Sequence, residues 1–122
     1  MKVMIENNIM KANEFVISAK GILPEIAVLK NVRLNYKMDA EGKKTDLIEC
    51  VRYDCIDPDN FSTFSLKCES NRAVVTQEIL ESTEEPIFIR IPVEQTCIRP
   101  YEISYGKAKV TIVAPDVKLV EN

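Results

Sequence analysis

Cations stand out at three places in this chain, at two of them beside tyrosines. Lys43 and Lys44 follow Gly42, Arg52 stands beside Tyr53, and Arg99, Tyr101, Tyr105, Lys107 and Lys109 come late. Cationic side chains track phosphates while aromatic faces stack on bases of any sequence, so this mixture suits a single-stranded nucleic acid. Each residue also has a plainer role. Lysines at a hairpin tip are ordinarily solvated, Tyr53 can pack in a core, and Tyr101 and Tyr105 can cover the end of a sheet. Catalysis has less to work with, because the chain has no histidine, the usual base near neutral pH. Carboxylates and lysines remain, but Asp57 and Asp59 flank Pro58 in what reads as a surface turn. Gly21, Gly42 and Gly106 build neither a phosphate-cradling loop nor a Gly-x-Ser-x-Gly elbow. No catalytic residue is expected, and the chain reads as a binding protein rather than an enzyme.

Cys50, Cys55, Cys68 and Cys97 contain no Cys-x-x-Cys pair and have no histidine to join them as ligands, so neither a metal site nor a cofactor is expected. At 122 residues, 46% hydrophobic and 29% charged, the chain has the size of one domain and enough apolar residues to bury a core. Its apolar runs are a few residues long, far short of the roughly 20 that cross a bilayer. The first residues, Met1 to Asn8, hold no signal-like apolar region. These features predict a cytoplasmic protein with reduced thiols.

The elements that must position the candidate residues are mostly strands. Over residues 25–38, Ile26, Val28, Val32, Leu34, Tyr36 and Met38 take one phase and Asn31, Arg33, Asn35 and Lys37 the other, the pattern of a half-buried strand with a basic outer face. Residues 39–44 carry turn chemistry around Gly42. A second strand over 45–57 has Leu47, Val51, Tyr53 and Cys55 in one phase and Ile48, Cys50 and Ile56 in the other. After the turn at 57–60, a third strand over 61–69 points Phe64, Leu66 and Cys68 inward. Residues 72–82 read as a short helix behind Ser70 and Asn71 as caps, although 73–76 would suit a strand equally. Ile87, Ile89, Ile91 and Val93 alternate in a fourth strand, residues 95–105 read as a long extended connection, and Gly106 turns the chain. A fifth strand over 107–113 and a short last one over 117–120 complete the order. Residues 1–24 form an N-terminal extension in which 14–18 can add an edge strand or a dimer contact.

This order, three strands, a helix, then two strands, is that of an OB-fold, a mainly β, five-stranded Greek-key barrel, over residues 25–122. A β-sandwich or a small open barrel would alternate in the same way. OB-folds bind ligands across strands two and three between two flanking loops, which is where Lys43, Lys44, Arg52, Tyr53 and the late tyrosines and lysines fall.

Gly42-Lys43, Leu47, Glu49 and Tyr53, then Tyr105-Gly106 and the closing Val117-Lys118-Leu119-Val120, resemble the small OB-fold single-stranded-DNA-binding proteins typified by the gene V protein of filamentous phages. The resemblance runs loosely over about two-thirds of the chain. It implies Lys43, Tyr53 and Tyr105 as DNA contacts, Lys118 as a further phosphate ligand, and a homodimer acting in DNA replication of a phage, plasmid or integrative element. The chain departs from the family at Thr45, where the pattern has an aromatic, and in its longer N-terminus and helix-like insert.

Charge weighs against a nucleic-acid ligand in total and for one in part. The net charge is −3, but residues 1–37 hold six basic and three acidic side chains, 38–86 five and twelve, and 87–122 five and four. The acid gathers at Asp54, Asp57, Asp59 and over 78–85, away from the candidate loops. The leading expectation is a non-catalytic single-stranded DNA-binding barrel. The alternative is a protein-interaction barrel of a mobile element whose acidic middle docks a partner without nucleic acid.

Overall fold

The structure is a computed structural model and describes residues 4–5, 8–9, 16–104 and 107–121, with side chains over 16–100 and 109–121. Strands β1 (Met4–Ile5) and β2 (Asn8–Ile9) pair with each other. Then come β3 (Ile17–Ser18), β4 (Ile26–Met38), β5 (Lys44–Ile56), β6 (Thr63–Cys68), helix α1 (Gln77–Ser82) and β7 (Phe88–Arg90). A 3-10 turn at Val93–Gln95 leads to β8 (Cys97–Ser104), β9 (Lys107–Ala114) and β10 (Lys118–Leu119). About half of the chain is strand. Eight strands form one open, curled sheet, a half-barrel in the order β10-β7-β4-β5-β6-β9-β8-β3. Because β7 returns beside β4, the order β7-β4-β5-β6 is that of a Greek key. Among the described pairings only β6 with β9 is parallel.

The expectation of five strands is corrected to eight in this sheet. β3, at the place where an edge strand was expected, pairs with β8 at one edge, and β10, the expected short last strand, pairs with β7 at the other. The stretch read as a connection, 95–105, holds strand β8 instead. Pro100 misled the reading. It sits at a register shift between Pro100 and Glu102, beyond the two residues that β3 pairs, and a proline without an amide hydrogen is tolerated at such an irregular edge.

Strand β4 does not keep one phase. Ala27 and Leu29 are buried, and so is Val32, an odd-to-even switch. The register explains it: Leu29 pairs with Cys55 and Asn31 with Asp54, so Lys30 has no partner and forms a bulge. Val28, assigned inward by simple alternation, is therefore only half-buried. The bulge lies just past the end of β7, where the Val32 amide faces away from β5. Gln77 of α1 fills that place: its Oε1 accepts the Val32 N–H at 2.7 Å, and its Nε2 donates to Asn31 Oδ1 at 3.3 Å and to Glu81 Oε1 at 3.0 Å.

The helix is shorter than its sequence pattern implies. It begins at Gln77, capped by Thr76, whose Oγ1 accepts the Ile79 N–H at 3.2 Å, rather than at Ser70 or Asn71. Residues 73–76 are neither helix nor strand; Val75 is buried, while Ala73 and Val74 pack against the core. Ile79, expected on the buried side, is exposed. At the core centre Tyr53 is 0% exposed, and its hydroxyl accepts the Val74 N–H at 3.0 Å. Burial pushes its phenol up to about 12. Leu66, Val51, Ile89 and Ile91 surround the same core.

All four cysteines are free thiols; Cys50, Cys55 and Cys68 are buried and Cys97 is half-buried. Burial pushes the Cys55 and Cys68 thiols up to about 12. Thiolate, not thiol, attacks a disulfide reagent. A chromogenic disulfide at mildly alkaline pH should therefore titrate Cys97 in the native protein and all four thiols only after unfolding. The Gln77 contact yields a second expectation. Gln77→Ala leaves the Val32 amide without its acceptor and should lower stability by about 1–3 kcal/mol, read from the urea midpoint at unchanged slope.

Candidate functional site

The cations that sequence reasoning spread over several segments are gathered by strand register. Arg33 on β4 pairs with Arg52 on β5, and Arg52 pairs with Lys67 on β6. All three alternate with buried residues, Val32, Val51, Tyr53 and Leu66, so they share the sheet face turned away from the core. Neighbouring strands lie about 5 Å apart, so the three positions form a short row across the sheet. Farther along, Arg99 on β8 pairs with Thr111 of β9, and Arg99 and Lys109 carry exposed cations onto the same face.

Asp54 is the acid of this row. Its Oδ1 lies 2.8 Å from Arg33 Nη2 and accepts the Ser65 hydroxyl at 2.6 Å. Partial burial pushes its carboxyl up, but the Ser65 hydroxyl and the Arg33 guanidinium outweigh that and hold it below its ordinary value. Asp54 thus lies on the sheet face that carries Arg52 and fixes the Arg33 side chain.

Lys43 and Lys44 stand at the β4–β5 turn, both exposed. Asp39 builds that turn by accepting the amides of Glu41 and Lys43 at 2.9 and 2.8 Å, and Gly42 supplies the left-handed φ of 82°. Lys44 Nζ rests 4.4 Å from the centre of the Tyr36 ring, a cation on an aromatic face. Since β9 runs parallel to β6, β8 ends and β9 starts at the end of the sheet carrying the β5–β6 turn. The outward face of β5 and β6 therefore lies between that end and the turn of Lys43 and Lys44.

Tyr53 requires a correction. Its ring faces the core with no exposed surface, so it cannot stack on a base; its plainer role as a packing residue is the one the structure gives. Tyr101 is at the register shift of β8, and Lys107 opens β9 opposite Ser104. Tyr105 and Gly106 lie outside the described residues. Lys118 is on β10 opposite Arg90, beside a cleft of about 470 Å³ lined also by Glu25, Pro92, Glu94 and Asp116. β7 stands between it and β4 and pairs only with Ile26 to Val28, so it is separated from the cation row that begins at Arg33.

Two aromatics escaped the sequence reading. Tyr36 was assigned to an inward phase, yet β4 outruns the core there. Phe61 was assigned to the start of a strand, yet it closes the β5–β6 turn with φ of 61° and is 79% exposed. The compact Asx pattern of Asp57 and Asn60, whose side chains accept the amides of Asp59 and Ser62, was the available signal that the turn extends past Phe61.

Among the described residues no three histidine, cysteine, aspartate or glutamate side chains come together as metal ligands, and no helix is long and apolar enough to cross a membrane. No family model matches the chain, and no similar curated protein or solved structure was found.

Asp54 gives the site a pH signature. A carboxyl held below its unfolded value of 3.8 contributes stability that is fully present above that value and drains away as pH falls through the lower folded one. Wild type should therefore exceed Asp54→Asn in urea midpoint at neutral pH, and the gap should narrow on acidification below pH 3.8.

Proposed function

We propose that this chain binds single-stranded DNA without catalysis, on the outward face of β4, β5 and β6. The observation that carries the reading is the cross-strand row Arg33, Arg52 and Lys67. Like charges placed directly opposite on neighbouring strands destabilise a sheet, and Asp54 offsets only one of the three. An anionic ligand lying across the strands relieves the rest. A nucleic-acid backbone supplies phosphates in series, which a single small anion does not. Lys43 at the β4–β5 turn, and Arg99 and Lys109 toward the other end, prolong the track, while Lys44 lies over Tyr36 on the side of β4 that Val32 faces. Phe61 offers an exposed ring for a base.

An OB-like arrangement within the larger sheet is part of the same reading. Strands β4, β5 and β6 form a meander, α1 follows the third strand, and the return of β7 beside β4 supports a Greek-key barrel whose second and third strands bear the ligand face. The negative total charge is compatible with it, since binding follows the local patch and acids elsewhere keep other surfaces free of nucleic acid.

Titration of fluorescent oligo-dT at several salt concentrations tests the reading. Each cation neutralises about one phosphate, so Arg52→Gln with Lys67→Gln should reduce the magnitude of the log K against log salt slope by about 1.4 for single strands. Phe61→Ala should weaken binding by about 1–3 kcal/mol. Absence of oligo-dT binding by wild type at low salt overturns the assignment and leaves the protein-interaction alternative.

A further inference from the structure

The far half of β4 is an open sheet edge. β7 pairs with Ile26 to Val28, Gln77 occupies the edge at Val32, and beyond it β4 has no described strand neighbour except β5. Two backbone bonds fix which groups lie on that edge. The Val32 N–H points away from β5, to Gln77, whereas the Asp39 N–H points toward it, to the Lys43 carbonyl at 2.8 Å. Strand alternation then turns the N–H and C=O of Leu34, Tyr36 and Met38 outward. The side chains here are unusually apolar for an open edge: Leu34 is 40% and Met38 65% exposed, and Tyr36 lies between them. Between Leu34 and Met38 only Asn35 and one charged residue, Lys37, are polar, so the edge is poorly protected against another strand.

We propose that this edge pairs with the same edge of a second copy of the chain, antiparallel about a two-fold axis through Tyr36, to form one continuous sheet. The register follows from charge and space. With Tyr36 opposite Tyr36 of the second copy, Leu34 meets Met38 and Arg33 meets Asp39, an apolar pair and an opposite-charge pair. Moving the axis to Asn35 brings Val32, already bonded to Gln77, into the seam and sets Arg33 against Lys37. Moving it to Lys37 sets lysine against lysine. Only the Tyr36 register uses the whole free edge without a like-charge pair. The two-fold preserves sheet faces, so the outward rows of both copies join side by side. The seam forms without nucleic acid, and its test stands apart from the DNA-binding reading.

Sedimentation of wild type across the micromolar range, without DNA, should show a monomer–dimer equilibrium. Leu34→Lys with Met38→Lys puts lysines opposite each other twice and should raise the dissociation constant by roughly tenfold or more. Leu34→Lys with Met38→Glu pairs lysine with glutamate and should restore the dimer. A wild type that stays monomeric, or a dimer that survives the double-lysine variant while its far-UV spectrum and melting remain native, overturns the proposal. Should the double-lysine variant lose its sheet spectrum, Met38→Lys alone, at a site mostly in solvent, carries the same two outcomes.

Discussion

A backbone amide that loses its strand neighbour must find another acceptor or stay in water, and in this chain the Val32 amide decides much of the architecture. The bulge at Lys30 lets Ala27, Leu29 and Val32 all reach the core, and it leaves that amide at the end of β7 without a ladder partner. Gln77 accepts it at 2.7 Å, which ties the start of α1 to the sheet. The phase beyond the bulge follows: with Val32 inward, Arg33 must be outward, in line with Arg52 and Lys67. Without the extra residue Arg33 would face the core. The same contact marks where the open part of the β4 edge begins.

Electrostatics within the row are local. Total charge is negative, yet the face of β4 to β6 concentrates arginine and lysine around one depressed carboxylate. Asp54 Oδ1 accepts from Arg33 and, separately, from the Ser65 hydroxyl, and so holds Arg33 in place. The row therefore carries three cations and one internal counter-charge.

Much of the fold was legible because burial imposes period two on strands. The segments around Val51, Tyr53 and Cys55, around Phe64, Leu66 and Cys68, and around Ile89 and Ile91 were readable in this way, and Gly42 and Pro58 marked their turns, whereas Leu47, expected in the same phase as Val51, is 64% exposed. The reading failed where register rather than pattern decides. A single unpaired Lys30 puts Ala27 and Leu29, rather than Val28, on the core face with Val32, and alternation carries no sign of it. Pro100 argued against a strand that its position at an irregular edge permits. The candidate site was half legible. Lys43, Lys44 and Arg52 stood out by type, but the alignment of Arg52 with Arg33 and Lys67 depends on pairings between segments. Tyr53 shows the converse, since a tyrosine beside an arginine looks equally suited to stacking and to packing until its burial is known.

The parallel pairing of β6 with β9 has a kinetic consequence. Strands β4, β5 and β6 are joined by turns of a few residues, so their pairing closes small loops. Leu66 and Ile112, by contrast, meet only after the intervening chain, with α1, β7 and β8, has been brought round. Loop closure costs entropy before distant contacts can compensate for it, so topology sets an order of events. The meander that carries the cation row is expected to assemble early, and the docking of β9 to limit the rate. A nascent chain released before β9 is made would hold its charged face already formed on a sheet whose β6 edge is still open.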